Sequence, residues 1–375
     1  MIRFWSYKRE YTKYKKQILS LIDKSIEKGS IFFGNELTNF EKNFVKKYKA
    51  KYGIAVGSGT DALTIAVKSL NIKYGDEIIT AANTAIPTIT AIINAGAKPK
   101  LVDVGEDYLI DINKIEKEIN SRTRAIIPVH LYGQVCDMDA ITKIAKRNKI
   151  EVIEDCAQSQ GSSYKNKYAG TFGKLGCFSF YPTKILGAYS DGGFILTNDF
   201  KTFKKIKRLR FYGIETIENN KYKDKYYSFE NGFNSRLDEV QASILNFKLK
   251  KTNNFIQRRR KLAKIYIKEL SSTELILPKE NNNGIHTYHL FTVRYFKRNK
   301  LIQNLLKHKI QTKIIYPYPI QIMKAYKNVI NNKDRLKNSL NKSKEIFCLP
   351  LYPELTVKEA QYICKIIKKI LKKSN

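Results

Sequence analysis

Cysteine is scarce in this chain of 375 residues, and what there is lies scattered. The five cysteines are odd in number, without a C-x-x-C pair or zinc-ligand spacing. That excludes a disulfide framework, leaves no expectation of a metal site, and suits a reducing cytoplasm. Long apolar runs are missing too. The first thirty residues, MIRFWSYKREYTKYKKQILSLIDKSIEKGS, mix lysine throughout, which leaves no stretch for a signal peptide or membrane span and makes a cytoplasmic protein the expectation. There is no internal repeat. Acidic residues are few, 34 against 69 Lys and Arg, giving a net charge of +35. Such an excess invites a nucleic-acid reading. The lysines, however, are spread along the chain among Asn, Ile, Tyr and Phe, and are dense only at Arg258–Lys261 and between Lys365 and Lys373, both at helical spacing. No specific nucleic-acid partner is expected; a diffuse positive field speeds capture of small anions instead.

What the chain does have is a dense stretch from Glu151 to Asn198. A β-branched run ends at Glu154-Asp155, and a second run, Cys177–Tyr181, ends at Pro182-Thr183-Lys184. Carboxylate and lysine thus fall at strand ends, where open α/β sheets bind ligands. Lys184 is followed by Ile-Leu-Gly-Ala-Tyr and Asp191-Gly-Gly rather than by a charged face. An amine in such surroundings loses hydration and becomes available, neutral, to attack a carbonyl. An acid such as Asp155 can hold a heteroaromatic nitrogen protonated, and the two together are what pyridoxal phosphate requires. The bland readings are a snorkelling lysine and an acid that caps a turn. Cys156 and Cys177, close by, read as packing residues.

Around this stretch the pattern alternates. Strands are expected near Ile54–Val56, Glu77–Thr80, Lys100–Val104, Arg124–Val129 and Lys149–Ile153, with helices between them and Gly193–Thr197 returning beside the site. This is an α/β architecture, a mostly parallel central sheet with helices on both faces. Two N-terminal helices are expected, one ending before Gly29 and one opening at Asn35 with Leu37, Phe40 and Phe44 on one face. A long helix is expected to begin at Ser235, in capping-box spacing with Asp238, carrying Leu237, Val240, Ile244, Leu245 and Leu249 on one stripe. It leads out of a large domain, residues 1–246, into a smaller α+β domain, 247–375, with a strand near His289–Arg294.

Glu154-Asp-Cys-Ala-Gln158, Ser179-Phe-Tyr-Pro-Thr-Lys184, Asp191-Gly-Gly, Gly57-Ser-Gly-Thr60, Val129-His-Leu-Tyr-Gly-Gln134, Asn234-Ser-Arg-Leu-Asp-Glu239 and Leu349-Pro-Leu-Tyr-Pro353 stand in one order over nearly the whole chain. In this the sequence resembles the DegT/DnrJ/EryC1/StrS aminotransferases, fold-type I enzymes that act on nucleotide-linked keto-sugars. The resemblance implies a pyridoxal 5'-phosphate enzyme that takes an amino group from L-glutamate. It implies roles for Lys184 and Asp155 in catalysis and for Ser58, Gly59, Thr60, Gln158 and Ser179 in holding the cofactor. Asn234 is implied to reach the cofactor phosphate of a neighbouring subunit, which makes a homodimer with composite sites. Tyr181, Arg236, His289 and Tyr316 are the candidate substrate contacts. At specificity level the motifs look more like members acting at C3 of a dTDP-linked 3-keto-6-deoxyhexose than those acting at C4.

The residues also leave other readings open. Gly57-Ser-Gly-Thr-Asp-Ala62 after a strand suits a phosphate at a helix N-terminus, but it also matches a dinucleotide fingerprint with Asp76 downstream. Asn234 also reads as a turn residue, Arg236 as part of a surface ion pair and His289 as a core histidine. A dehydratase on the same scaffold is disfavoured by the presence of Lys184, and a non-catalytic binding or regulatory protein is the alternative of another class. Two positions depart from the family pattern. Ala85 stands where an aromatic usually stacks on the cofactor, and Gln321 stands where relatives often have histidine.

Overall fold

The computed structural model describes residues 1–216, 226–281, 283–330 and 335–372. The chain opens with α1 (Tyr7–Glu27) and α2 (Asn35–Tyr48), then alternates β1 (Tyr52–Val56), α3 (Gly59–Ser69), β2 (Glu77–Ala81), α4 (Ile86–Asn94), β3 (Lys98–Val102), α5 (Ile112–Ile115), β4 (Thr123–Ile127), α6 (Met138–Arg147) and β5 (Glu151–Asp155). Two short strands, β6 (Ser163–Tyr164) and β7 (Lys167–Tyr168), precede β8 (Leu175–Ser179), β9 (Gly193–Thr197) and α7 (Phe200–Leu209). After α8 (Glu239–Leu249) and α9 (Thr252–Leu270) come β10 (Gly284–Ile285), β11 (Phe291–Arg294), α10 (Arg298–Lys307), α11 (Lys337–Glu345), β12 (Ile346–Leu349) and α12 (Val357–Lys372).

The main sheet has seven strands in the order β1-β9-β8-β5-β4-β2-β3. Its inner pairings are parallel, and only β9 runs against its neighbours. The expected mostly parallel sheet with helices on both faces is what the chain forms. Burial divides each strand by parity, as the pleat demands. Ala55, Val152, Phe178 and Phe194 join one core with Phe40 and Phe44 of α2, while Ile54, Ile153, Cys177 and Ile195 join another with α3, α4 and α7. Aromatic rings dominate the first core: Phe44 lies 4.3 Å from Phe194 and 5.2 Å from Phe178, centroid to centroid. β11 and β12 pair antiparallel over a third core that gathers α9, α10 and α12. No helix among the described residues is long and apolar enough to cross a membrane.

One helix starts later than its pattern predicts. α8 begins at Glu239, with Asp238 as its cap, Oδ1 accepting from Gln241 N–H at 2.7 Å. Ser235 lies outside the helix; its hydroxyl accepts from Gly57 N–H and donates to Asp61. Leu237 therefore precedes the helix rather than starting its stripe. The S-x-x-D spacing was ambiguous because either polar residue can cap, and tertiary bonds claimed the first. Asp238→Ala should lower stability by about 0.5–2 kcal/mol through loss of this cap, read as a shift in denaturant midpoint.

Candidate active site

The C-terminal ends of β5 and β8 lie side by side because the two strands pair in parallel, with Asp155 level with Cys177. Beyond them opens a cavity of about 750 Å³ lined by Ser58, Gly59, Thr60, Asp155, Gln158, Ser179, Tyr181, Lys184, His289 and Tyr316. These sequence candidates share one space. Asn234 and Arg236 do not line it: Asn234 is exposed and its backbone bridges Phe211, while the Arg236 guanidinium stacks 4.3 Å over Phe32.

Each group is fixed by its local chain. Ser58 caps α3, accepting from Asp61 N–H at 3.0 Å, which leaves the first amides of α3, on Gly59 and Thr60, without intrahelical acceptors at the positive end of the helix. Glycine is required at 59: a Cβ there would lie 2.5 Å from Ser179 Cβ. At 193, too, a Cβ would collide with the Ser58 carbonyl, so β9 can pass close beneath the turn. The turn and the helix end form a cradle suited to a phosphate.

Asp155 is buried, and its carboxylate accepts from Ala157 N–H at 3.0 Å and from the Thr88 hydroxyl at 2.9 Å. Thr84 lies 2.8 Å behind Thr88, so the two hydroxyls form a relay that ends on the acid. Burial raises the Asp155 pKa, against the lowering effects of those two donors and of Lys184. Lys184 moves the other way. Burial lowers its ammonium to about 8, opposed by the Asp155 charge. Gln158 has no freedom to flip: Tyr132 N–H donates to its Oε1 at 2.9 Å, so its Nε2 must donate to the Tyr316 hydroxyl, also at 2.9 Å. A hydroxyl and an amide N–H are thereby held ready beside the acid.

Ala85 is in the cavity wall as the N-cap of α4, next to the half-exposed Ile86 and to Pro87. Apolar aliphatic surface stands there in place of an aromatic ring. Gln321 is elsewhere, buried with Nε2 donating to Leu336 O and Ser339 Oγ. Glu154, adjacent to Asp155, takes no part in the cavity. It accepts from His130 Nε2 and from the amides of Gly170, Phe172 and Gly173. The buried cluster His130, Glu154 and Cys156 thus has its carboxylate saturated by donors and the second His130 nitrogen occupied by Cys136 N–H, a structural knot rather than a set of free ligands.

Sequence reasoning missed Thr88, Tyr132 and the whole N-terminal segment, of which Phe4, Trp5 and Tyr7 line the cavity. Residue 2 pairs with Ile310, and Phe4 N–H donates to Gln311 Oε1, so the first residues are drawn across the chain by contacts more than 300 positions away. No local signal announces such a contact.

A phosphate cradle, a buried acid and a lysine of lowered pKa in one cavity fit pyridoxal phosphate. Two tests follow from the pKa directions. In cofactor-free protein, covalent capture of the cofactor by Lys184 should speed up as pH rises and level off above about 8, followed by absorbance. Because burial raises the folded pKa of Asp155 above its unfolded value of about 3.9, its charge destabilises the cofactor-free fold increasingly as pH rises from there. Asp155→Asn should therefore raise the thermal midpoint of cofactor-free protein at neutral pH, and the gain should shrink on acidification.

Residues 12–368 match the DegT/DnrJ/EryC1/StrS aminotransferase family model. The chain is 38% identical over 357 residues to dTDP-3-amino-3,4,6-trideoxy-alpha-D-glucose transaminase of Micromonospora megalomicea subsp. nigra, covering 94% of each chain. It is equally 38% identical to dTDP-3-amino-3,6-dideoxy-alpha-D-galactopyranose transaminase of Aneurinibacillus thermoaerophilus, covering 98% of this chain and 99% of that one. Among solved structures, DesV of S. venezuelae superposes with a TM-score of 0.94 at 32% identity, covering 99% of this chain and 98% of that one. The chain belongs to the DegT/DnrJ/EryC1/StrS aminotransferase family and is a pyridoxal phosphate-dependent aminotransferase acting on nucleotide-linked keto-sugars.

Proposed function

We propose that this aminotransferase moves the amino group of L-glutamate to C3 of a dTDP-linked 3-keto-6-deoxyhexose, in the synthesis of a surface polysaccharide or glycoconjugate. The observation that carries the chemistry is Lys184, its ammonium lowered to about 8, in one cavity with the buried Asp155. The position on the sugar rests on the relatives. Two are the dTDP-3-amino-sugar transaminases named above, and a third is UDP-N-acetyl-3-dehydro-alpha-D-glucosamine 3-aminotransferase of Acidithiobacillus ferrooxidans, 34% identical over 96% of this chain. A dTDP- or UDP-linked 4-keto sugar is the second reading, and GDP-perosamine synthase of Escherichia coli O157:H7, 33% identical over 89% of this chain, is a relative named for another nucleotide. A regulatory reading has two relatives in its favour, the pleiotropic regulatory protein of Geobacillus stearothermophilus at 37% identity and the erythromycin biosynthesis sensory transduction protein EryC1 of Saccharopolyspora erythraea at 32%, but a desolvated lysine in one cavity with a buried acid is costly for a protein that does no chemistry.

When bound, pyridoxal phosphate supplies the electron sink for the carbanion formed at the amino-bearing carbon. The chain supplies the rest. Lys184 Nζ would hold the cofactor and would serve as the base that takes and returns the substrate proton, with a pKa near working pH. The Asp155 carboxylate would keep the ring nitrogen protonated by its charge, and the Thr88 hydroxyl with Ala157 N–H keep that carboxylate in place. The amides of Gly59 and Thr60 would hold the phosphate, and Gln158, bonded to the Tyr316 hydroxyl, would offer a donor to the ring. The larger, cofactor-binding unit comprises residues 1–246, and residues 247–375 form the smaller unit, which brings Tyr316 and His289 to the same cavity.

The exposed Asn234, outside its own chain's cavity, supports a composite site in a homodimer, completed by the partner's copy of this residue. Lys184→Ala should lose at least about 10²–10⁴-fold in transamination, the range of acid–base catalysis alone. Co-expressed with Asn234→Asp, whose added charge repels the phosphate, it should regain activity, since a mixed dimer keeps one site with both native residues. Mixed dimers that form without regaining activity exclude the composite site. A panel of 3-keto and 4-keto sugar nucleotides with glutamate tests the acceptor; amination of only the 4-keto members would overturn the C3 reading.

A further inference from the structure

A few residues after β4 the chain makes a tight turn, Leu131-Tyr132-Gly133, in which Tyr132 takes left-handed backbone angles, φ 59° and ψ 2°. Those angles crowd a side chain and suit glycine. Tyr132 is nevertheless only 4% exposed, and it stands behind the cavity wall. Its three polar groups all go to that wall. The N–H donates to Gln158 Oε1 at 2.9 Å, the carbonyl accepts from Leu290 N–H at 3.3 Å, and the hydroxyl donates to the Ile315 carbonyl at 2.5 Å. Gln158, Leu290 and Ile315 come from distant parts of the chain, and each lines the cavity. Burial holds the phenol well above its ordinary pKa, so the hydroxyl keeps its proton and donates, with Asn83 as its other partner.

These bonds close a ring. From Tyr132 N–H the path runs to Gln158 Oε1, across the amide to Nε2, and on to the Tyr316 hydroxyl at 2.9 Å. From the Tyr132 hydroxyl it runs to the Ile315 carbonyl, which joins Tyr316 directly. Tyr316 is thus held at both ends, its hydroxyl through Gln158 and its backbone through Ile315, and both holds start from one residue. Glycine at 132 would adopt the turn without crowding and keep the two backbone bonds. Phenylalanine would keep the ring that meets Tyr108 edge to face, centroids 5.6 Å apart. What tyrosine adds to either is the hold on Ile315.

We propose that Tyr132 is a positioning residue for transamination, acting through Tyr316 and Gln158: its hydroxyl sets where the wall at Ile315 and Tyr316 stands relative to Gln158. The inference rests on the aminotransferase chemistry and is independent of which keto-sugar is the acceptor. Tyr132 touches neither cofactor nor substrate, so its effect is on alignment. A displacement of about 1 Å far from the chemistry can cost about 10²-fold in rate. Loss of the hydroxyl should therefore fall on kcat and leave KM nearly unchanged.

The test compares Tyr132→Phe, Tyr316→Phe and the double variant. Tyr132→Phe should lower kcat by about 10- to 10²-fold with the acceptor that wild type uses. In the Tyr316→Phe background the same change should cost less than about twofold more, because the hydroxyl it positions is already gone, whereas unconnected losses multiply. A second readout needs no substrate. In pyridoxal phosphate-loaded protein, the pH at which the cofactor absorbance changes should shift by about 0.4–1 unit in Tyr132→Phe, the size of one weakened hydrogen bond, and the shift should vanish in the Tyr316→Phe background. A loss of thermal stability alone, with kcat and the absorbance profile untouched, overturns the proposal, and so do losses that multiply in the double variant. If phenylalanine at 132 yields no folded protein, 4-aminophenylalanine takes its place: this weaker donor should give a smaller fall in kcat and a smaller shift, and wild-type values for both overturn the proposal. Failure of wild type to aminate any 3-keto sugar would count against the acceptor proposed above and leave the absorbance test in force.

Discussion

Asp155 and Lys184 are displaced from their ordinary titration ranges in opposite directions by one cause, burial, and each partly corrects the other. This mutual arrangement is what the remainder of the structure has to maintain. A carboxylate taken out of water tends to neutralise itself, and the donors on Asp155 are what favour its charged form. An ammonium in the same cavity tends to shed its proton, which is what the chemistry asks of it. Moved into solvent, the pair would become an ordinary acid and an ordinary lysine, fully charged and catalytically inert.

Holding such a pair requires that the ends of β5 and β8 not move. Glu154 contributes directly. One residue before the acid, it is tied by three backbone amides to the 170–173 loop that leads into β8, and by His130 to the chain that follows β4. Below, the rings of Phe44, Phe178 and Phe194 pack edge to face and tilted, filling the space under β8 and β9 with side chains of few rotamers. Behind Lys184, the buried Lys248 donates to Gly187 O at 2.6 Å and pairs with Glu10 of α1. The loop carrying the lysine is thus pinned from the side away from the cavity. A buried ion pair adds little net stability, so its value here is geometric.

The sheet was legible because each strand is a short apolar run closed by glycine, proline or a polar residue, and the run Gly193–Thr197 coincides with β9. Lys184, Asp155, Gln158 and the Gly57–Thr60 turn were legible for the same reason, since strand ends carry them. Ser235 misled because capping patterns are degenerate and a tertiary partner, Asp61, decided between two eligible residues. Trp5 and Thr88 carried no signal at all. One reaches the cavity through pairing of residue 2 with Ile310, and the other through a helix whose face toward Asp155 is a property of packing.

The departures from the family pattern acquire a physical sense once placed. Gln321 has been absorbed into the structure, its amide bridging Leu336 and Ser339 at the start of α11, and is no longer available to a substrate. Ala85 remains in the cavity wall, where a small side chain exposes Ile86 and Pro87 instead of a flat ring. That side of the cavity is lined by aliphatic surface, which excludes water but offers no ring to stack on. The polar groups of the cavity stand elsewhere, at the turn of Gly59 and Thr60, at Asp155, and at Gln158 with Tyr316. A planar ligand held at its edges by three such groups would lose contact area rather than alignment for want of a stacking ring.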